Sequence, residues 1–540
     1  MRRLCRSALT VALLAAVHAP SQAQTSALAD AARLAEQQRR AGNVAARVYT
    51  NRELLAPAGS PSAQSSGAVN SAAGSTTTSA ARPASIAAAA SAAAAQVVPE
   101  NDTASKAPTA KSKRTSQLTS AAPAAGTVAS PRPWGRVAFF ANAATLTPAQ
   151  GESRSYAEYV TQVAIRSAEE SPQGIEYGLD TRMAGYSGLE RDSRVSIYDA
   201  WTGVKLMDGA LRVRGGQMWV TELGGLGAIA GGMVEYRRPL ASGTLRLAGF
   251  GGLEPETYQA GYVRDVKRYG GYAAFDAGAL RRHVVGYVMV RDATLTERSV
   301  LSSTNYVPIG KRVFVYQALE YDLTGPGGQG DGGLTYFFVN GRGAATKRID
   351  LQGSYHRGRS VDARSITLDQ LNGRPISPKT LEGLLFESAS GRVTVEVVRG
   401  VRAYAGFGRD KNNRDSDLTN RFTLGGSASN VAKSGIDATV AMSRIDRGVG
   451  GSFDSWYMSV GRNVGRRLYL TGEYSSSLSV LRFAGADGFI VEQRPETHRF
   501  GVTSIVNLGR SWSVLATVER TTEQDANELR VLSGLTYRLP

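Results

Sequence analysis

From Trp134 onward the chain repeats one theme: short stretches in which apolar and polar side chains alternate with a period of two. In residues 347–356, Ile349, Leu351, Gly353 and Tyr355 share one face, and Arg348, Asp350, Gln352, Ser354 and His356 the other. Leu468, Leu470, Gly472 and Tyr474 oppose Arg467, Tyr469, Thr471 and Glu473. Phe500, Val502, Val506 and Leu508 oppose Arg499, Thr503 and Asn507, and Trp512, Val514, Ala516 and Val518 oppose Ser513, Thr517 and Glu519. That period belongs to an extended strand, whose successive side chains point to opposite sides. Each stretch therefore predicts a β-strand with a single apolar face. Segments 508–511, 461–466 and 268–271 are short and glycine-bearing and read as tight hairpin turns. Longer polar stretches, 324–333, 358–387 and 410–420, separate other pairs.

A one-faced strand can bury that face in a soluble sandwich or solenoid, or turn it to lipid. Short turns alternating with long loops favour lipid, because an outer-membrane barrel carries short turns at one rim and long loops at the other. A transmembrane strand needs only about 9 to 11 residues when tilted by about 45°. No apolar run of 18 residues follows residue 23, so no membrane-crossing helix is expected. The expected fold class is all-β: an antiparallel transmembrane β-barrel over 131–540, with about 18 strands and an even number of them.

Two segments carry family resemblances. Leu529, Val531, Leu535, Tyr537 and Leu539 alternate with Arg530, Thr536 and Arg538 up to the C-terminus. This resembles the terminal strand that barrel-assembly machinery recognises in outer-membrane barrels. Such strands usually end on an aromatic, whereas this one ends Tyr537-Arg538-Leu539-Pro540. Residues 211–237 resemble a segment of porin-like export and uptake barrels: an Arg/Gly-Gln strand, a glycine-rich stretch, and a second strand ending in Tyr-Arg. The resemblance is to the porin-like class of bacterial outer-membrane β-barrels.

The first 130 residues have another texture. Arg2, Arg3 and Arg6, an apolar run from Ala8 to Val17 and the small residues of Ser21-Gln22-Ala23 form a secretory signal peptide, 1–23. The single cysteine, Cys5, falls within it, so the mature chain is expected to hold no disulfide or thiolate. Residues 24–54 carry a short amphipathic helical pattern. They resemble an element that follows the signal peptide of many exported envelope proteins, ending here in Val48, Tyr49, Thr50, Asn51 and Leu54. Residues 55–130 are dominated by Ala, Ser, Thr and Pro. Such a chain buries too little apolar area to offset its ordering entropy and is expected to be a disordered linker.

Composition sharpens the division. Five of the 60 glycines lie in residues 1–130, while all 5 tryptophans and all tyrosines but Tyr49 lie beyond. Glycine suits close strand packing, and amphipathic rings suit membrane interfaces. Residues 1–130 hold 13 Lys and Arg against 5 Asp and Glu, a net of +8, leaving +9 of the chain's +17 to the barrel region. Charges are costly against lipid, so many must line the lumen, turns or loops. Arg212, Arg214, Arg246, Arg264, Lys267, Arg312, Arg348 and Arg402 fall at candidate pore-lining positions. A basic lumen favours anions, unless acidic partners cancel it.

Signs of catalysis are scarce. His283, His356 and His498 remain after signal cleavage, each in an expected strand, and the His-Ser pattern of outer-membrane lipases is absent. His356 and Ser360 form a loose pair at a strand end, and Glu254, Glu256 and Asp265 are scattered. Gly215-Gly216 and Gly224-Gly225-Leu226-Gly227 lack the strand-turn-helix context of a dinucleotide site and read as strand-turn glycine. Asp410, Asn412, Asn413, Asp415 and Asp417 place oxygens at alternate positions, but the glycine and closing glutamate of the best-known calcium loop are missing. No enzyme, cofactor, metal or nucleic-acid partner is expected. No segment reads as an obvious plug; 365–386 is the best candidate for an inserted loop or short helix. Two readings stand: a channel for small hydrophilic solutes, or a sealed barrel anchoring the N-terminal element. Expected partners are outer-membrane lipid and lipopolysaccharide, the assembly machinery and an envelope polymer.

Overall fold

The computed structural model describes residues 133–167, 174–188, 191–256, 260–278, 280–310, 312–414, 417–431, 434–465, 467–484 and 490–539. The expected signal peptide, helical element and linker lie outside them. Strands β1 (Trp134–Pro148), β2 (Arg154–Arg166), β3 (Gly174–Ser187), β4 (Arg194–Leu206), β5 (Leu211–Trp219) and β6 (Ala228–Leu240) pair in sequence, each antiparallel to the next. The meander continues through β7 (Gly243–Pro255), β8 (Tyr262–Ala277), β9 (Arg281–Asp292), β10 (Leu295–Ile309), β11 (Val313–Thr324) and β12 (Asp331–Ala344). It runs on through β13 (Ile349–Ser360), β14 (Leu384–Val398), β15 (Val401–Asn412), β16 (Thr419–Ala428), β17 (Ile436–Asp446) and β18 (Gly451–Val464). The last pieces are β19 (Leu468–Ala484), β20 (Ile490–Gln493), β21 (Glu496–Leu508), β22 (Trp512–Glu523) and β23 (Ala526–Leu539).

Both β20 and β21 pair with β19, so they are two pieces of one stave, interrupted at Arg494-Pro495. Proline has no N–H to give the ladder, which accounts for the break. The first strand pairs with the last, from Gly135 opposite Leu539 to Pro148 opposite Ala526, and the sheet closes into a barrel of 22 staves. The even number holds, but about 18 was too few. Strand β9 is apolar on both faces from Val284 to Val290, and Ser475-Ser476-Ser477 in β19 is polar on both, so neither shows clean alternation. Arg268-Tyr269-Gly270-Gly271, read as a turn, lies within β8; Gly270 faces inward beneath the Phe250 ring. The turn expected at 461–466 is shorter, because β18 continues to Val464.

Two adjacent rows of opposed residues show what the alternation builds. Leu351, Val393, Ala405, Leu424, Met442 and Trp456 stand side by side across six strands and point outward. One residue along, Gln352, Arg392, Gly406, Thr423, Ser443 and Ser455 form the parallel row inside. Leu424 and Trp456 are more than half exposed on the outside, which water would penalise and lipid rewards. Leu529, Val531, Leu535, Tyr537 and Leu539 all fall on that outer face of β23; the Tyr537 ring packs 4.7 Å from Trp512 near the rim that holds both ends of the barrel. Rings at that level suit a membrane interface. Closure, antiparallel pairing and an apolar exterior make this an all-β antiparallel barrel suited to span a membrane.

The two rims differ as expected. The terminal rim, where β1 begins and β23 ends, has tight connections such as residues 241–242, 399–400 and 509–511. The far rim carries the long ones, including 325–330 and 361–383. The latter holds helices α1 (Ala363–Leu371) and α2 (Pro378–Glu382), capped by Asp362 and Ser377, and overlaps 365–386, the candidate for an inserted loop or short helix.

Candidate functional site

The inner wall is the candidate site, and it begins with a short strand. Strand β5 ends at Trp219, earlier than its 13-residue neighbours β4 and β6, and the connection that follows turns into the barrel. Residues 220–227, with their 3-10 turns, reach the inner faces of β8, β9 and β10. Leu223 and Leu226 bury themselves there among Met218, Ile229, Phe250 and Val288. Gly286 makes room: a Cβ at that position would overlap the Leu223 side chain. Arg268 donates to the carbonyls of Leu226 (3.2 Å) and Ala228 (3.1 Å), and the Trp219 N–H donates to Asp199 (2.9 Å). The glycines 224–227, read as strand-turn glycine, thus belong to an inward loop.

Beneath this loop, facing the terminal rim, lies a recess of about 370 Å³ lined by charge. Glu176 is 3% exposed and accepts from Arg214 at 2.6 Å, with Arg212 at 3.7 Å and Lys205 at 4.0 Å. Glu235 meets Arg237, Tyr272 and, at 3.2 Å, Arg246. Arg246 also binds Glu222 of the inward loop and Asp276, each at 2.6 Å. Buried charges persist only when paired and hydrogen-bonded. Here Glu176, Glu235 and Asp276 each serve two or more cations and Arg246 reaches Glu222, so the network braces the wall and fastens the loop.

A second segment leans inward at the far rim. Helix α1 buries Ala363, Ile366 and Thr367; Ile366 presses on Gly327 in the β11–β12 loop, where a Cβ would sit 2.7 Å from it. Arg364 binds Glu254 (2.8 Å) and Glu297 (2.7 Å) on the barrel wall, with Asp292 at 4.0 Å. Those carboxylates raise the pKa of its guanidinium, against a desolvation that lowers it.

The candidate pore-lining residues separate accordingly. Arg212, Arg214 and Arg246 face inward but are spent on carboxylates. Arg402 faces inward on β15, opposite Glu396. Lys267 points outward, because Val266 and Arg268 on either side of it are the buried, inward positions. Arg264 lies exposed in the irregular far end of β8, where the register with β7 shifts. Arg312 and Arg348 sit in the connections before β11 and β13 at the terminal rim, just beyond the strands, so they do not line the mid-barrel wall. Of the eight candidates, Arg212, Arg214, Arg246 and Arg402 face inward, whereas Lys267 falls on the outer face and Arg264, Arg312 and Arg348 lie at strand ends or beyond them.

The histidines and the acidic loop also have structural neighbours. His283 Nδ1 lies 2.8 Å from Asn305, and His498 lies 3.0 Å from the Tyr474 hydroxyl and 3.1 Å from Glu496. His356 sits among aromatic rings; Ser360 is four positions along the same strand, roughly 13 Å away at the rise of an extended chain. Asp410 pairs with Arg421 at 3.1 Å, Asn412 accepts from Arg414 N–H, Asn413 braces residues 382–385, and Asp417 accepts from Val449 N–H.

No family description matches the sequence, and no characterised protein matches it. Among solved structures, the chain is similar to the translocation pore of the P pilus usher PapC (9% identity, 75% of this chain and 100% of that one, TM-score 0.41). It is also similar to OccK8 (OprE) of Pseudomonas aeruginosa (10% identity, 76% and 98%, TM-score 0.36) and to OccAB3 of Acinetobacter baumannii (7% identity, 75% and 99%, TM-score 0.34). These are similarities of outline at low identity; what the barrel does is read from its own residues.

Proposed function

We propose that the chain is a porin-like channel that passes small hydrophilic solutes across an outer membrane. The observation that carries this reading is the inner row of Gln352, Arg392, Thr423, Ser443 and Ser455, which extends through Ser477 to Thr497. A wall of hydroxyls, amides and arginine running across eight staves suits contact with water and has no use in an apolar core. With 22 staves spaced by about 4.8 Å and tilted by about 40°, the backbone ring has a radius of roughly 20 Å, which leaves room for water beside the inward loop. Because Arg212, Arg214 and Arg246 are committed to carboxylates, any anion preference rests on the open wall, where Arg392 stacks 3.7 Å from the Tyr404 ring, and it is slight.

In this reading the terminal rim faces the periplasm, and residues 24–130 belong to that compartment, where an envelope polymer is their partner. Lipid and lipopolysaccharide cover the outside, and the assembly machinery reads the last strand. Purified full-length mature protein in a planar bilayer is expected to give stepwise, ohmic currents in potassium chloride. The two inward segments favour the second reading, a sealed anchoring barrel. A folded, inserted barrel that carries no current would establish that reading and dismiss the channel.

A further inference from the structure

The geometry points to an oligosaccharide-binding track on the inner wall across β10–β14, a solute class that deepens the channel reading and rests on it for transport though not for binding. Six inward rings touch in sequence across these five strands. Phe314 lies 6.3 Å from Tyr306, Tyr306 lies 4.7 Å from Tyr316, and Tyr316 lies 5.8 Å from Phe338. Phe338 then lies 5.9 Å from His356, and His356 4.7 Å from Phe386. The parity is clear: Val300, Ser302 and Ala318 are buried inward positions, while Leu301, Leu351 and Leu385 are exposed outward ones.

The track also climbs. Phe314 is the second residue of β11 at the terminal rim, whereas Phe386 is the third of β14 at the far rim, beside the loop that carries α1 and α2. None of the six rings belongs to the buried apolar cluster under the inward loop, and all six are only partly buried. Aromatic rings placed to fill a core would be covered on both faces. These rings line a wall instead. Gly358 keeps the upper end flat, since a Cβ there would overlap the Phe386 ring.

What borders the rings selects the ligand. Asn340, Ser354, Ser388 and Ser390 share the inner face with them and offer neutral hydrogen-bonding groups. The nearby charges are engaged with one another, Arg342 with Asp350 at 3.9 Å and Arg298 with Asp322 at 2.7 Å. A chain of apolar ring faces edged by neutral donors and acceptors matches a pyranose, which shows C–H faces above and below and hydroxyls around its rim. The ring-to-ring steps are comparable with the length of one hexose, so a linear chain of several sugars is the fitting form.

The test uses the full mature protein and three probes: maltohexaose, cellohexaose and chitohexaose. Isothermal titration calorimetry on detergent-solubilised protein is expected to detect at least one of them, and the same sugar is expected to interrupt single-channel current. Phe338→Ala should weaken that binding by at least about tenfold. Phe337→Ala, one residue along and facing lipid beside Tyr355, should leave it unchanged. If Phe338→Ala does not fold, Phe338→Leu, which keeps apolar bulk without a ring, serves in its place. Binding of no hexasaccharide, or equal loss in both variants, overturns the track. Sugar binding without any current would dismiss the channel and leave the track standing; current without sugar binding would do the reverse.

Discussion

The two halves of the barrel solve the same problem by different means. From β3 to β9, and along β10 as far as Ser302, the inner wall is packed like a soluble core: Ile229, Val266, Val288 and Val300 are sealed under the inward loop, and Glu176, Glu235, Arg212 and Arg246 are buried beside them. From β12 to β23 the buried inner positions are few, and the wall is edged by hydroxyls and by ion pairs at the surface, such as Arg421–Asp410, whose side chains are 41% and 31% exposed. The outer faces of the two halves are alike, because lipid makes one demand everywhere. The difference therefore lies entirely inside. It teaches that one wall acts as scaffold, holding the inward loop in place, while the other is left open to the lumen.

The contrast can be broken most sharply at its charges. Glu235→Ala should cost about 3–5 kcal/mol in denaturant unfolding, because it leaves the buried Arg246 and Tyr272 and the part-buried Arg237 beside a lost partner. Asp410→Ala on the open wall should cost less than about 1 kcal/mol, since its pair is solvated. Equal costs would mean that the halves are not different in kind. The same logic changes what a double reversal at the recess would do. Arg212→Glu with Arg214→Glu would set three carboxylates against one another around Glu176 and should unfold the wall rather than retune selectivity.

On the open half, the two faces of one strand should differ almost as much. Leu351→Arg, turned to lipid, is expected to cost about 2–4 kcal/mol if it lies near mid-membrane. Gln352→Arg, turned to water, should cost well under that in the same unfolding assay. Comparable damage from both would show that β13 is covered on its inner side.

The scaffold's hold on the inward loop is a smaller effect to measure but more specific. Gly286→Leu fills the notch that receives Leu223 and should lift the inward loop, raising single-channel conductance while heat-modifiable migration shows an intact barrel. Unchanged conductance would remove the loop from the conduction path. Smallest of all should be the selectivity change in Arg392→Gln: a reversal potential moved slightly toward cations, and fading as salt rises, because near 1 M wall charges reach only about 3 Å.

Where the sequence was readable follows the same division. On β13, β19, β21, β22 and β23 one face meets lipid and the other meets water, so Leu351 against Gln352 or Val531 against Arg530 declares its side unaided. On β9 both Val284 and Val285 are apolar, one against the inward loop and one against lipid, and periodicity cannot tell them apart. The paired glycines 270–271 resemble a turn to any local reading; it is Phe250 and the Tyr287 carbonyl crowding Gly270, and the Ala248 carbonyl beside Gly271, that explain them. The ionic partners were invisible for a related reason. Glu176 and Arg214 are joined across two strands, and Arg364 reaches Glu254 from 110 residues away. The inner aromatic rings were each visible as letters, yet the diagonal they make depends on register, which the five strands fix together.

The seam between β1 and β23 has a bearing on how the molecule is made. Gly135 meets Leu539 only when the ring is complete, so this ladder joins the two most distant parts of the barrel and carries the largest closure entropy of any pair in it. Until it forms, two strand edges with unpaired N–H and C=O groups cannot rest in hydrocarbon, where each such group is costly. A half-finished barrel is therefore no stable resident of the bilayer. Insertion must be nearly all-or-none, with both edges held by something other than lipid until the first and last strands find each other.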